Sequence, residues 1–155
     1  VWGAQKFFKL VDGVVSTEVG FANGWEADPT YKRVYTDQTG HAECVHVRYD
    51  PGKVSLKRLV GLFMNIIDPF SVNRQGGDEG TRYRTGVYFE DENDLGEIKE
   101  VIGSFERQGG SPSAVEIEPL SCFYKAEEYH QDYLDKTPGG YCHLSPKVFE
   151  LARKK

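Results

Sequence analysis

The carboxyl group of Glu43 lies where it could act as an acid. In "HAECVHVRYD", the alternation of residue types predicts a strand with one face made by Glu43, Val45, Val47 and Tyr49. Apolar neighbours destabilise a carboxylate, so such a group keeps its proton to higher pH and suits general acid catalysis. If the strand begins one residue later, Glu43 is instead solvated, and the sequence leaves both interpretations open.

The segment "NRQGGDEGTRYR" combines glycines with polar side chains. Glycine lets the backbone approach a ligand, while Asp78 offers an acceptor and Tyr83 a donor. A plain surface turn explains this composition at least as well. "GGDEG" also resembles the GGDEF signature of diguanylate cyclases, which would require a divalent ion on Asp78 and Glu79. Five residues are weak support for that alternative, because no second strand supplies a metal-binding carboxylate pair.

A long loop, "NGWEADPTYKRVYTDQTG", carries Trp25, Tyr31 and Tyr35, and these aromatic residues favour an ordered loop. Tyr31 follows the turn-forming run "DPT", which could direct its hydroxyl inward, although packing is the commoner role of a lone tyrosine. Further along, Glu127 and His130 have the spacing of half a helical metal site. No matching half follows, and the other histidines show no ligand spacing. The sequence therefore predicts no metal.

The three cysteines do not form a disulfide framework, which favours a reducing, cytoplasmic setting. Cys44 lies in the predicted strand and Cys122 precedes a predicted helix, and we interpret both as inert thiols. Cys142 differs, since it lies in the glycine- and proline-rich loop "TPGGYCHLSP", where a thiol is accessible to chemistry.

Apolar periodicity predicts the elements that must position these groups. A helix runs from near Trp2 to Gly13, and helical spacing also fits "SLKRLVGLFMNIID", the stripe from Leu95 to Phe105, and "FYKAEEYHQDYLDK". Four strands are predicted at "VVSTEVGFA", "HAECVHVRYD", "RYRTGVYFE" and "SAVEIEPL".

The order of these elements is helix, strand, strand, helix, strand. One strand in front would complete β-α-β-β-α-β, so we expect an α+β, ferredoxin-like two-layer sandwich with a C-terminal helix and loop extension. Its first strand is then expected upstream of Val1. No repeat, low-complexity segment or linker interrupts the chain, which predicts a single domain over residues 1–155.

Composition excludes several function classes. The net charge is −5 and the only compact basic run is the tail "LARKK", which argues against a nucleic-acid partner. No apolar run approaches the length that crosses a membrane. The opening residues also lack the pattern of a signal peptide.

Six blocks occur in order along essentially the whole chain: "VWGAQKFF", "DPTY", "TGHAE", "RQGGDEGTRYR", "AEEYHQDYL" and "GGYC". Together they resemble peptide methionine sulfoxide reductases of the A type. The nucleophile motif of that family reads Gly-Cys-Phe-Trp-Gly, and Val1, Trp2 and Gly3 align with its last three positions. The resemblance thus implies a catalytic cysteine, or a selenocysteine, immediately before Val1. Val1 itself stands where the family usually has phenylalanine.

The resemblance also implies a role for each site residue. A thiolate or selenolate attacks the sulfoxide sulfur while protonated Glu43 gives a proton to the sulfoxide oxygen. Tyr31 and Tyr83 hydrogen-bond that oxygen, and Asp78 helps to polarise the site. The methyl group of the substrate lies against Val1 and Trp2, a pocket that valine should weaken.

The second half of the implied reaction regenerates the nucleophile. The enzyme is left as a sulfenic or selenenic acid, which Cys142 attacks to form a bond that thioredoxin or a similar dithiol reduces. The implied substrate is the S epimer of methionine sulfoxide, free or in proteins, and no cofactor is expected. If no nucleophile precedes Val1, the alternative is a non-catalytic module that binds oxidised methionine.

Overall fold

The computed structural model describes residues 2–75, 78–110, 112–136, 144 and 148–153. These residues form helices α1 Trp2–Lys9, α2 Tyr31–Val34, α3 Leu56–Ile66, α4 Leu95–Gly109, α5 Tyr133–Lys136 and α6 Phe149–Arg153. They also form strands β1 Val14–Ala22, β2 Ala42–Tyr49, β3 Arg74–Gln75, β4 Asp78–Glu79, β5 Gly86–Phe89, β6 Glu116–Pro119 and β7 Phe123–Lys125.

Local interactions define one end of each of the two long helices. At the start of α3, the Ser55 hydroxyl accepts a hydrogen bond from the Arg58 N–H at 3.1 Å and satisfies one of the free amide groups of the first turn. At the end of α4, Gly110 has a φ of 75°, the left-handed conformation that closes a helix. Both helices follow the predicted apolar stripes.

The central sheet has the strand order β2-β1-β7, and both pairings are antiparallel. The register places Glu43 of β2 directly opposite Phe21 of β1, and Val45 opposite Val19. Directly opposed residues share a face, so Glu43 lies on the apolar face, the first of the two interpretations that the sequence left open. Strands β5 and β6 form a separate parallel pair connected through α4, and β3 with β4 forms a short hairpin.

A largely apolar cavity of about 400 Å³ lies between β2 and β5, with α3 forming part of its wall. In the ferredoxin-like arrangement the first strand lies between the third and the fourth, and here those positions are held by β2 and β5. The α+β architecture is confirmed.

Two predictions for the elements are wrong. The segment "FYKAEEYHQDYLDK" is not one helix, because Tyr124 pairs with Phe21 at the edge of β1, and Asp132 has a helix-breaking φ of 53°. It instead contains β7, a 3₁₀ turn at Glu128–His130, and α5. Likewise "RYRTGVYFE" becomes a strand only at β5, since Thr81–Tyr83 forms a 3₁₀ turn.

Two glutamine side chains cover the edge of β1 beyond its pairing with β7. The Gln131 amide donates to the carbonyl of Val19 and accepts from its N–H, both at 2.8 Å. The Gln5 amide donates weakly to the carbonyl of Thr17 at 3.4 Å and accepts from the Asp132 N–H at 2.8 Å. These two amides replace a neighbouring strand over this stretch of β1.

Three apolar clusters surround the sheet. The first joins α1, α3 and α6 through Phe7, Leu59 and Phe149. The second packs α3 and α4 against β5, and the third gathers Val19, Phe21, Val34 and Ala126 beside Tyr31. Within the described ranges, no helix is long and apolar enough to span a membrane.

Candidate active site

Tyr31 opens the short helix α2. The Thr30 side chain caps this helix by accepting from the Arg33 N–H at 3.2 Å, which explains why "DPT" starts a helix here. The Tyr31 N–H, which has no partner within the helix, donates to Glu127 Oε1 at 3.0 Å. Its ring packs against the apolar cluster of Phe21. Tyr31 is therefore fixed at both its backbone and its ring.

Tyr31, Glu43 and Tyr83 lie close together in the structure. Burial raises the pKa of Tyr31 above its ordinary value, and the charge of Glu43 and a hydrogen bond with Tyr83 raise it further. Glu43 and Tyr83 also line the same cavity. Two phenolic hydroxyls and one carboxyl thus lie near one another, a set of groups that can bind and protonate an oxygen acceptor.

Tyr83 is held by the arginines on either side of it. Arg82 lies against the Tyr83 ring, 4.4 Å from its centroid, and pairs with Asp37 at 2.8 Å. Arg84 donates to the carbonyl of Gly40 at 2.8 Å and to Glu116 at 2.9 Å. The backbone on both sides of Tyr83 is therefore anchored to other elements.

Glu127 and His130 do not form half of a metal site. They do not share a continuous helix, and Glu127 instead accepts from the Tyr31 N–H and, at 2.9 Å, from the Tyr129 hydroxyl. The His130 ring lies 4.0 Å from the Tyr31 ring. Burial lowers the pKa of His130, an effect that the charge of Glu127 only partly opposes, so the ring is neutral near pH 7. Both residues support Tyr31.

His41 fixes the loop that leads to Tyr31. The ring is buried; its Nδ1 accepts from the Gly24 N–H at 3.1 Å, and its Nε2 donates to the carbonyl of Glu26 at 2.7 Å. These partners require the neutral tautomer protonated on Nε2. Sequence reasoning missed this role, and that of Glu127, because the spacing of these residues does not indicate which segment each of them binds.

Cys44 is a poor nucleophile. Burial, followed by the charge of Glu43, raises the pKa of Cys44 to about 12, so its reactive thiolate is scarce at neutral pH. Cys122 is half-buried, with its sulfur 3.6 Å from the carbonyl of Gly24. Cys44 matches the inert role expected for it.

Several predicted site residues are only partly described. Asp78 lies in β4 opposite Gln75, and Trp2 is the first residue of α1, but their side chains are outside the description. Val1 and Cys142 lie outside the described residues. Among the side chains that are described, no group of three or more His, Cys, Asp or Glu could hold a metal ion.

Comparison with known proteins extends these observations. The family model described as peptide methionine sulfoxide reductase matches residues 1–155. A peptide methionine sulfoxide reductase MsrA from Lachnoclostridium phytofermentans is 49% identical over 152 residues, which cover 98% of this chain and 92% of the relative.

Solved structures are also similar. Mxr1 from Saccharomyces cerevisiae in its reduced form has a TM-score of 0.88 and 38% identity, covering 93% of this chain and 85% of that one. Mxr1 in complex with Trx2 has a TM-score of 0.59 and 25% identity, covering 85% and 76%. The sequence motifs, the meeting of Tyr31, Glu43 and Tyr83, and these similarities agree, and the chain belongs to the peptide methionine sulfoxide reductase family.

Proposed function

We propose that this protein reduces methionine-S-sulfoxide, free or in proteins, to methionine. The observation that carries this proposal is the meeting of Tyr31, Glu43 and Tyr83 in a chain of this family. An acid and two hydroxyl groups near one another suit a sulfoxide, whose oxygen is a strong hydrogen-bond acceptor and must gain a proton before the S–O bond breaks.

In the first half-reaction, a thiolate or selenolate immediately before Val1 attacks the sulfoxide sulfur. Glu43 donates its proton to the sulfoxide oxygen, and the hydroxyl groups of Tyr31 and Tyr83 hydrogen-bond it as charge develops. The substrate sulfur gains two electrons and becomes the thioether of methionine. The hydroxyl group passes to the enzyme's sulfur or selenium as the transient bond between that atom and the substrate sulfur breaks, so the enzyme atom loses two electrons and becomes a sulfenic or selenenic acid.

Asp78, Val1 and Trp2 complete the proposed site. Asp78 helps to polarise the site, and its place in β4, next to the turn that carries Tyr83, supports this role. Val1 and Trp2 would contact the methyl group of the substrate. These two residues immediately follow the proposed nucleophile, and Trp2 begins α1.

The second half-reaction uses Cys142. Its thiolate attacks the sulfenic or selenenic acid and releases the oxygen as water, which leaves a disulfide or a selenenylsulfide. A dithiol reductant then restores both groups by exchange. The solved complex of the yeast relative Mxr1 with Trx2 supports thioredoxin as that reductant.

We further propose that residues 1–155 are one domain and that the protein works in the cytoplasm. The match of one family model to residues 1–155 supports the first point. The small number of cysteines, without a disulfide framework, supports the second, because reducing compartments favour such sequences.

The two epimers of methionine sulfoxide test the proposed function. The protein is expressed from its natural coding sequence, so that the residue before Val1 is the native one, and peptide mapping identifies that residue. With a thioredoxin system, the S epimer should yield methionine over many turnovers, while the R epimer stays unreduced. Binding of S-sulfoxide peptides without any methionine formation would instead support the non-catalytic module.

The two tyrosines should contribute separately to the rate. Because each hydroxyl group donates to the same developing charge, Tyr83→Phe and Tyr31→Phe should each slow methionine formation about 10²-fold in a single turnover, and the double variant more. Tyr133→Phe, a change at a half-buried tyrosine in α5, is the matched control. Unchanged rates in both single variants would show that neither hydroxyl group binds the sulfoxide oxygen.

A further inference from the structure

The two site tyrosines come from separate segments of the chain. Tyr31 lies in α2, and Tyr83 ends the 3₁₀ turn that follows β4. Both hydroxyl groups act on a single oxygen in the proposed reaction, so their separation must be fixed to within a hydrogen-bond length. The contacts between these two segments are therefore functionally important.

Asp37 connects the segments directly. It lies just beyond α2, and its Oδ1 accepts from the Arg82 N–H at 3.0 Å and from the Thr81 hydroxyl at 3.2 Å. Its Oδ2 accepts from Arg82 Nη1 at 2.8 Å. One carboxylate thus binds both the backbone and the side chain of the turn that carries Tyr83.

A row of neighbouring aromatic rings and the Arg82 guanidinium makes a second connection. The rings of Tyr31 and Tyr35 are 5.7 Å apart. The Arg82 guanidinium lies 4.0 Å from the centroid of the Tyr35 ring and 4.4 Å from that of Tyr83. Arg82 Nη1 also donates to the carbonyl of Tyr35 at 3.1 Å. Its side chain is only 9% exposed, so this cation is held almost entirely by these partners.

The backbone conformation is unusual both at Asp37 and at Gly80, which lie on the two sides of the contact between these segments. Asp37 has a φ of 60°, where glycine would be less strained, so the aspartate contributes its carboxylate against the local backbone preference. Gly80 has a φ of 139°, and a Cβ there would lie 2.7 Å from Asp37 Oδ2 and 2.9 Å from Arg82 Nη1. The φ of Gly80 would strain any other residue, and a side chain there would also displace the ion pair of Asp37 and Arg82.

We propose that Asp37 and Arg82 are positioning residues that clamp the Tyr83 turn to the Tyr31 helix and so set the separation of the two hydroxyl groups. This inference rests on the proposed function, because it concerns how that site holds the sulfoxide oxygen. Neither residue touches the substrate. Arg82 acts through Tyr83, and Asp37 acts through Arg82.

A double-mutant cycle with Tyr83→Phe tests the clamp. The natural protein is assayed for methionine formed from the S epimer in a single turnover. Asp37→Ala should slow this rate about 10-fold when Tyr83 is present, because a misplaced hydroxyl group stabilises the developing charge poorly. In a Tyr83→Phe background the same change should alter the rate less than about twofold, since the group that it misplaces is already absent.

Two further variants separate positioning from loss of structure. Asp37→Asn keeps an acceptor oxygen of the same shape and should recover part of the lost rate. Glu100→Ala removes the exposed Lys57–Glu100 pair, 3.1 Å long, and should leave the rate unchanged. Circular dichroism reports whether each variant is folded.

The outcomes distinguish the clamp from the function. An inactive wild-type protein would overturn the proposed function. An active wild type with an unaffected Asp37→Ala variant would overturn the clamp alone. Equal slowing by Asp37→Ala in both backgrounds would also overturn the clamp, since that pattern indicates general damage. An Asp37→Asn variant that reacts no faster than Asp37→Ala would overturn it as well.

Discussion

Replacing Glu43 with glutamine should slow the formation of methionine in a single turnover by about 10²- to 10⁴-fold, the usual contribution of a general acid. Glutamine keeps the size and hydrogen-bonding capacity of the side chain but has no acidic proton to give. The register supports this choice of acid, because Glu43 lies opposite Phe21 on the apolar face that also packs against Tyr31. Rapid-quench measurement of methionine isolates this step from reductant recycling.

Glu118→Gln is the matched control, because it makes the same chemical change at an exposed position in β6. It should react at the wild-type rate. If Glu43→Gln also keeps the wild-type rate, the proton comes from another group and Glu43 is not the acid. Binding of the sulfoxide should change much less than the rate, since the lost contribution belongs to the transition state.

Replacing Cys142 with serine should leave the first turnover intact and abolish further turnover with thioredoxin. The attack on the sulfoxide does not use this thiol, whereas the bond that thioredoxin reduces cannot form without it. One equivalent of methionine per active site is therefore expected, followed by no further product. The measurement is product against time at known enzyme concentration, with mass spectrometry to detect the retained oxygen.

Cys122→Ser is the control for this change, because Cys122 is half-buried beside the carbonyl of Gly24 and a hydroxyl group can replace its thiol there. Full turnover is expected for that variant. Dithiothreitol, which reduces a sulfenic acid without a resolving thiol, should restore turnover to Cys142→Ser. Loss of the first turnover would contradict the proposed role of Cys142.

Local signals were sufficient for much of the fold. The apolar stripe predicted α3, and alternation predicted β1 and β2 with Glu43 on the same face as Val45. The segment after Cys122 was predicted wrongly because its helical pattern competes with a distant partner, the free edge of β1. Tertiary contacts of this kind override local preference and leave no trace in a single segment.

In the candidate site, too, some residues could be predicted from the sequence and others could not. The resemblance to a known family indicated Tyr31, Glu43 and Tyr83, whereas their residue types alone left structural roles open. The supporting residues were hidden, because their roles depend on pairings such as that of Tyr31 with Glu127, which are 96 positions apart. Glu127 even suggested a metal ligand when considered only with its near neighbour His130. Residues that position others are therefore found from contacts in the folded structure.

The glutamine amides on β1 have a consequence for how the protein behaves among other proteins. An open strand edge is a template on which a second chain can add, and aggregation often begins there. Gln131 occupies the N–H and the carbonyl of Val19, and Gln5 binds the carbonyl of Thr17. A side-chain amide satisfies such groups without extending the sheet, so it offers an incoming strand no repeating ladder to continue. This protein thus protects the edge of its central strand from intermolecular pairing with two side chains.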